Sequence, residues 1–221
     1  MIQTLFHSRI IENKDWATIL FVVSLALIAI TKSVFENRFN EFIKLIYSDK
    51  YIKIYKDTSQ LTSWFNVILF LVQIISFTFF IQLILAHFGI VSKTDGLIYI
   101  RIFTLLAVFI LSKFIIEKII ATAFNIEEFE ELINFYKVSY RSYIAICILP
   151  INLFLFYNNS ASHSLYLLFI GAVILLNLFT YLISLKNYQN LLFSKMFYFI
   201  LYLCALEIAP YYFLYYWITK S

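Results

Sequence analysis

The sequence is poor in the residues that soluble enzymes use to turn corners and to assemble chemistry. Only 3 glycines, 2 prolines and 2 cysteines occur among 221 residues. No glycine-rich nucleotide fingerprint, P-loop, GxSxG elbow or HExxH pair is present. The common local signatures of nucleotide binding, acyl transfer and zinc hydrolysis are therefore missing. No aspartate cluster suited to magnesium and a diphosphate is present either. Cys147 and Cys204 both fall inside apolar runs and form no CxxC pair, so they read as small core residues rather than a disulfide or redox motif. Charge is also scarce, at 14% of residues against roughly 25% in ordinary soluble domains.

What fills the chain instead is apolar side chain, 62% of residues, with a mean hydropathy of +0.85. That composition is of a membrane protein, and continuous apolar runs, not short alternating strands, make it an all-α polytopic helix bundle. The 25 Phe and 17 Tyr accompany many Ile, Asn and Lys, a bias of the kind an AT-rich genome imposes, so aromatic abundance does not indicate a ligand cage.

One transmembrane domain over residues 1–221 accommodates six predicted spans, at about 16–35, 64–88, 97–120, 143–157, 165–185 and 196–218. The first run is longer than a signal-peptide core, follows acidic residues and lacks a clean small-x-small cleavage site, so it is expected to stay as a span. In the second, Asn66, Gln73 and Ser76 share one face and Thr78 and Gln82 another, the pattern of side chains that hydrogen-bond to neighbouring helices. The fourth is short and contains Pro150 and Asn152, which predicts a kinked or incomplete helix. Two amphipathic cytoplasmic segments complete the set. One follows the first span, with Phe39, Phe42 and Ile46 on a face that suits either a lipid surface or packing on the bundle. The other carries Glu127, Glu128, Glu130 and Glu131, expected to form a solvated face.

Lys and Arg divide unequally between the two sides. Twelve fall on the side of the first amphipathic segment and five on the other, so the positive-inside rule places both termini in the periplasm. The basic residues are spread along membrane-flanking segments without a concentrated basic and aromatic face, which excludes a nucleic-acid partner. The expected partners are the lipid bilayer and a membrane protein or a second copy of the chain.

Glu207 is the main candidate for function. It lies near the middle of the sixth span, and Pro210, lacking an amide hydrogen, frees the Leu206 carbonyl at a similar depth. An ionisable group there costs roughly 2.5–3.5 kcal/mol on insertion scales and faces protein or trapped water. Tyr211 and Cys204 share its helix face, and Lys113, Asn177 and Asn152 lie on other spans at comparable depth. Lys113 is also four residues from Glu117 and can pair with it along the helix. Two readings fit this candidate intramembrane polar site: a buried ion pair that fixes helix register, or a proton-linked or solute-linked carboxylate. His7, His87 and His163 have no ligand-like spacing, so no metal and no cofactor is expected.

Asp15-Trp16, the Tyr140-Arg141-Ser142-Tyr143 run leading to Leu149-Pro150, and Glu207-Ile208-Ala209-Pro210 resemble an uncharacterised family of multi-pass inner-membrane proteins from Gram-negative bacteria. The resemblance spans nearly the whole chain and implies an inner-membrane location, with no activity to carry over. Three functions follow for comparison: a non-enzymatic subunit or assembly partner of a cell-envelope complex, a small ion-coupled or solute transporter using Glu207, and a lipid-modifying enzyme without a familiar motif. The first is the reading the sequence favours.

Overall fold

A long apolar helix, α4 (Trp64–His87), lies at the centre, with its polar side chains Asn66, Gln73, Ser76, Thr78 and Gln82 all buried against its neighbours. Of its most apolar 18-residue window 61% is buried, against 22% for α1 (Asp15–Val34) and 11% for α5 (Gly96–Ala123). The computed structural model describes residues 14–46, 48, 50–55, 63–123, 125, 127–158 and 162–187, without the side chains of 46, 128, 129, 179 and 181–187. Among them are seven α-helices, the remaining four being α2 (Glu36–Ile43), α3 (Lys50–Tyr55), α6 (Glu127–Tyr157) and α7 (His163–Asn187). Helices α1, α4, α5 and α6 are long and apolar enough to cross a membrane, and the chain is an integral membrane protein. The fifth expected span coincides with α7, whose described apolar stretch runs over His163–Leu178. The sixth, with Glu207, Tyr211 and Cys204, lies outside the described residues.

Helix α4 packs most extensively against α6, then against α5 and α1, while α7 rests mainly on α6. Helices α5 and α7 scarcely touch each other among the described residues. Their connections follow local rules. Gly89, at φ 73°, ends α4 in the left-handed conformation that glycine tolerates. The Ile90 amide then bonds back to Leu85 O and the Gly89 amide to Ala86 O, a Schellman closure of the last turn. Asp95 begins α5 by accepting from the Leu97 and Ile98 amides at 2.9 and 3.3 Å. Gln82 ties the two together, its amide donating to Ser92 O and Asp95 O at 3.2 and 2.9 Å.

At this end Trp16 stacks on Phe79 and donates its Nε1 hydrogen to Thr94 O at 3.1 Å, so the start of α1 is pinned to the α4–α5 turn. Phe21, Phe79, Tyr99 and Phe156 continue the cluster. A second cluster occupies the opposite end, where Phe39, Phe42, Leu45, Tyr51 and Ile52 are buried against Phe65, Phe135 and Tyr140. Phe39 and Phe42 therefore pack on the bundle and do not lie on lipid, because α4 and α6 supply a complementary aromatic surface. Arg38 is buried with them. Its guanidinium carbon stands 4.8 Å from the Tyr55 ring centroid and 4.6 Å from that of Phe65, and its Nη1 donates to Ser63 Oγ at 2.9 Å. This cation–π contact staples α2 to α3 and α4.

Three expectations need correction. The second amphipathic segment and the fourth span are one helix, α6, which runs 31 residues through Pro150. The packed partners on α4 supply what an isolated proline-containing segment would lack: Ser76 Oγ donates to Ala145 O at 2.8 Å and Asn152 Nδ2 donates to Ser76 O at 2.7 Å. Glu130 is buried, not solvated, and accepts from Asn134 one turn further along α6. Cys147 is exposed, because the face of α6 that meets α4 is filled by Ile144, Ala145, Ile148 and Leu149 instead.

Candidate functional site

Helices α5 and α6 form an antiparallel hairpin about Asn125, whose φ of 51° lets the chain reverse in one short turn. Asparagine adopts this left-handed conformation more readily than most residues. In such a hairpin, residues equally far from the turn come to one height. Lys113 lies twelve residues before Asn125 and Lys137 twelve after it. Between them projects Glu117, whose Oε1 is 3.9 Å from Lys113 Nζ and 3.8 Å from Lys137 Nζ. All three side chains are nearly buried, with relative exposures of 8%, 5% and 11% for Lys113, Glu117 and Lys137. The carboxylate oxygen thus balances two ammonium groups by charge at distances beyond a hydrogen bond, and it has no hydrogen-bond partner among the described residues.

This triad borders a partly open cavity of about 260 Å³. Gln73 and Phe77 of α4 form its floor, Leu106, Phe109, Ile110 and Phe114 line the α5 wall, and Asn134, Val138 and Arg141 line the α6 wall. Asn177 enters from α7. The cavity exists because α5 and α7 both lean on the α4–α6 pair without closing on each other. Its polar groups are fixed from behind. Asn134 Nδ2 donates to Glu130, Ser142 Oγ donates to Gln73 Oε1 at 3.1 Å, and Asn177 Nδ2 donates to its own helix at Val173 O, 2.8 Å away.

Of the site residues expected from sequence, Lys113 and Asn177 meet at this cavity. Asn152 does not. It is fully buried further along α6, where it serves the Ser76 carbonyl. Glu207 and Tyr211 lie outside the described residues. Sequence reasoning missed Lys137 and Arg141, which it treated as loop charges, and Gln73, which it treated only as helix-to-helix glue. The signal that finds them is the symmetry of the chain about Asn125. At the opposite end of the bundle His87 Nε2 and His163 Nδ1 lie 2.6 Å apart, with Tyr166 stacked on His87. No group of three or more metal-binding side chains occurs among the described residues.

Four helices long and apolar enough to cross a membrane, three of which line a charged cavity, define a multi-span helical membrane protein. The chain belongs to the family described as Domain of unknown function (DUF4271), whose model matches residues 17–218. No curated protein and no solved structure matches it.

Proposed function

We propose that the protein is a six-span inner-membrane bundle with both termini in the periplasm, and that it is a binding or carrier component for a small polar solute. The observation that carries this reading is the cavity, which draws ionisable groups from α5 and α6 and amides from α4 and α7 to one place. Ionisable groups within membrane helices are expensive to keep and mark ligand or ion pathways where they face a cavity. At about 260 Å³ it falls near the lower end of small-molecule sites, so it suits a small solute or a headgroup rather than a whole lipid. The sequence favours a subunit of a cell-envelope complex, and the outward apolar face of α5 is compatible with that role. Lipid covers such a face equally well, so the face does not favour a partner.

The test is to block the cavity without touching its charges. Val138 lines it and is apolar, so Val138→Trp fills space while leaving Lys113, Glu117 and Lys137 in place. The full-length protein in detergent is screened for polar solutes that raise its Tm, an effect that follows from selective binding to the folded state. Binding predicts at least one solute that stabilises the wild type and leaves Val138→Trp unmoved. A folded Val138→Trp that supports normal cell function, together with a stoichiometric co-purifying membrane protein, would return the subunit reading.

A further inference from the structure

We infer that the cavity between α5, α6 and α7 takes a phosphate-type oxyanion, free or carried on a lipid headgroup, held by Arg141 together with Lys113 and Lys137. This rests on the binding reading above and names its ligand class.

The argument begins with charge. Three cations, Lys113, Lys137 and Arg141, line the cavity against one lining carboxylate, Glu117. Glu130 stands behind the wall, bonded to Asn134, and its charge acts on both Glu117 and Lys137. Among the described residues, adding Glu130 with its charged neighbours Glu131 and Lys118 brings the count to four cations against three carboxylates, a surplus of one positive charge. Such a surplus is costly unless an anion offsets it. A neutral solute would leave it in place and a cation would add to it.

The donor geometry agrees. Arg141 is half-buried and makes no hydrogen bond or ion pair among the described residues, so its planar fork of N–H groups is available along the cavity wall. That fork matches the paired oxygens of phosphate, and lysine ammonium groups add point charge without fixed direction. Gln73 contributes in the same sense. Its Oε1 accepts from Ser142, which leaves its NH₂ group to donate toward the cavity. Asn134 and Asn177 each commit one amide hydrogen to their own helix, donating to Glu130 and to Val173 O, and each keeps a second N–H. Arg141, the two lysines and Gln73 therefore bring donors and positive charge to the lining.

The experiment uses full-length protein at low ionic strength, with inorganic phosphate as the soluble probe. For the lipid arm, the protein is placed in nanodiscs of phosphatidylcholine with and without a minor fraction of phosphatidylglycerol. Wild type is compared with Arg141→Gln and Arg141→Lys, each checked for native helicity and a single detergent gel-filtration peak. Losing one charge-assisted fork should weaken binding about tenfold or more, and Arg141→Lys should recover part of that loss. Phosphate that stabilises wild type and fails on Arg141→Gln supports the soluble source. Stabilisation only by phosphatidylglycerol, again lost in Arg141→Gln, supports the headgroup source. Equal stabilisation of wild type and Arg141→Gln would overturn the inference, as non-specific screening. So would stabilisation of Glu207→Gln but not of wild type, which would mean that an internal carboxylate already fills the role. If neither anion acts while a neutral solute binds and Val138→Trp blocks it, the oxyanion is refuted and the cavity reading stands.

Discussion

Arg38 illustrates how one residue can hold a charge in an apolar place. Three aromatic rings face its guanidinium, and the stacking depends on a planar, weakly hydrated cation, so lysine is not equivalent there. Arg38→Lys is expected to destabilise by about 1–2 kcal/mol and to open the α2–α3 segment to protease before the bundle unfolds. Limited proteolysis followed by mass spectrometry reads this, and unchanged protection would show that Phe39 and Phe42 hold the segment alone. Its neighbour Tyr51 behaves differently. Burial pushes the Tyr51 phenol above its ordinary value, and the nearby Arg38 charge only partly counters this. A group whose folded pKa is raised stabilises fully below its unfolded pKa and loses that contribution as pH climbs through the folded one. Tyr51 should therefore destabilise the protein only at alkaline pH, above about 10. Its hydroxyl lacks a well-formed hydrogen bond although Arg38 and Ser139 lie near it. Tyr51→Phe should then be close to neutral at pH 7 and flatten the alkaline decline, whereas Tyr51→Ala should cost about 3–5 kcal/mol through the cavity it leaves. Thermal melts at pH 7 and above pH 10 distinguish these outcomes.

The α5–α6 hairpin is the element that makes the site, and it shows how far the sequence could be read. Apolar length places the ends of helices α1 and α4 within one residue and those of α5 within three, despite Lys113, Glu117 and Lys118 in the last third of α5. It fails on α6. The charges from Glu127 to Arg141 lower the local hydropathy, so the first half of α6 reads as a separate cytoplasmic segment and Pro150 makes the rest look short. With that half assigned to a loop, Lys137 and Arg141 could not be placed beside Lys113. The pairing of Lys113 with Glu117 is legible because it is local, four residues along one helix. The Lys137 contact is not, since it depends on the register of two helices about Asn125. That contact predicts a coupling. Lys137→Met and Glu117→Gln should each destabilise by about 3–5 kcal/mol as breaks in a buried pair, and the double variant should cost clearly less than their sum. Additive losses in denaturant melts would mean that the 3.8 Å approach carries no interaction energy.

For the whole molecule the open matter is which way the bundle faces, and the structure sharpens the charge argument. Of the twelve Lys and Arg residues on the α2–α3 side, Lys113, Lys137 and Arg141 line the cavity and do not flank the membrane as loop charges. Nine remain there against five on the other side, so the positive-inside preference survives without them. The length of the hairpin points to the same end. Helices α5 and α6 extend about 42 and 46 Å, well beyond a hydrocarbon core of about 30 Å, and the charged start of α6 marks where the excess emerges. This orientation puts the cavity in the cytoplasmic half of the bundle and the paired His87 and His163 at its periplasmic end. Single cysteines at two exposed positions test it, Ser48 beside the turn before α3 and Ser162 just before α7. The background must lack both native cysteines, since Cys147 is exposed on α6 and would contribute its own signal. With the outer membrane permeabilised, an impermeant thiol reagent should modify Ser162→Cys in intact inner membranes. Ser48→Cys should react only after those membranes are disrupted. Modification of Ser48→Cys alone in intact membranes would reverse the orientation and move the cavity to the periplasmic half, where a cytoplasmic solute could not reach it from the α2–α3 side.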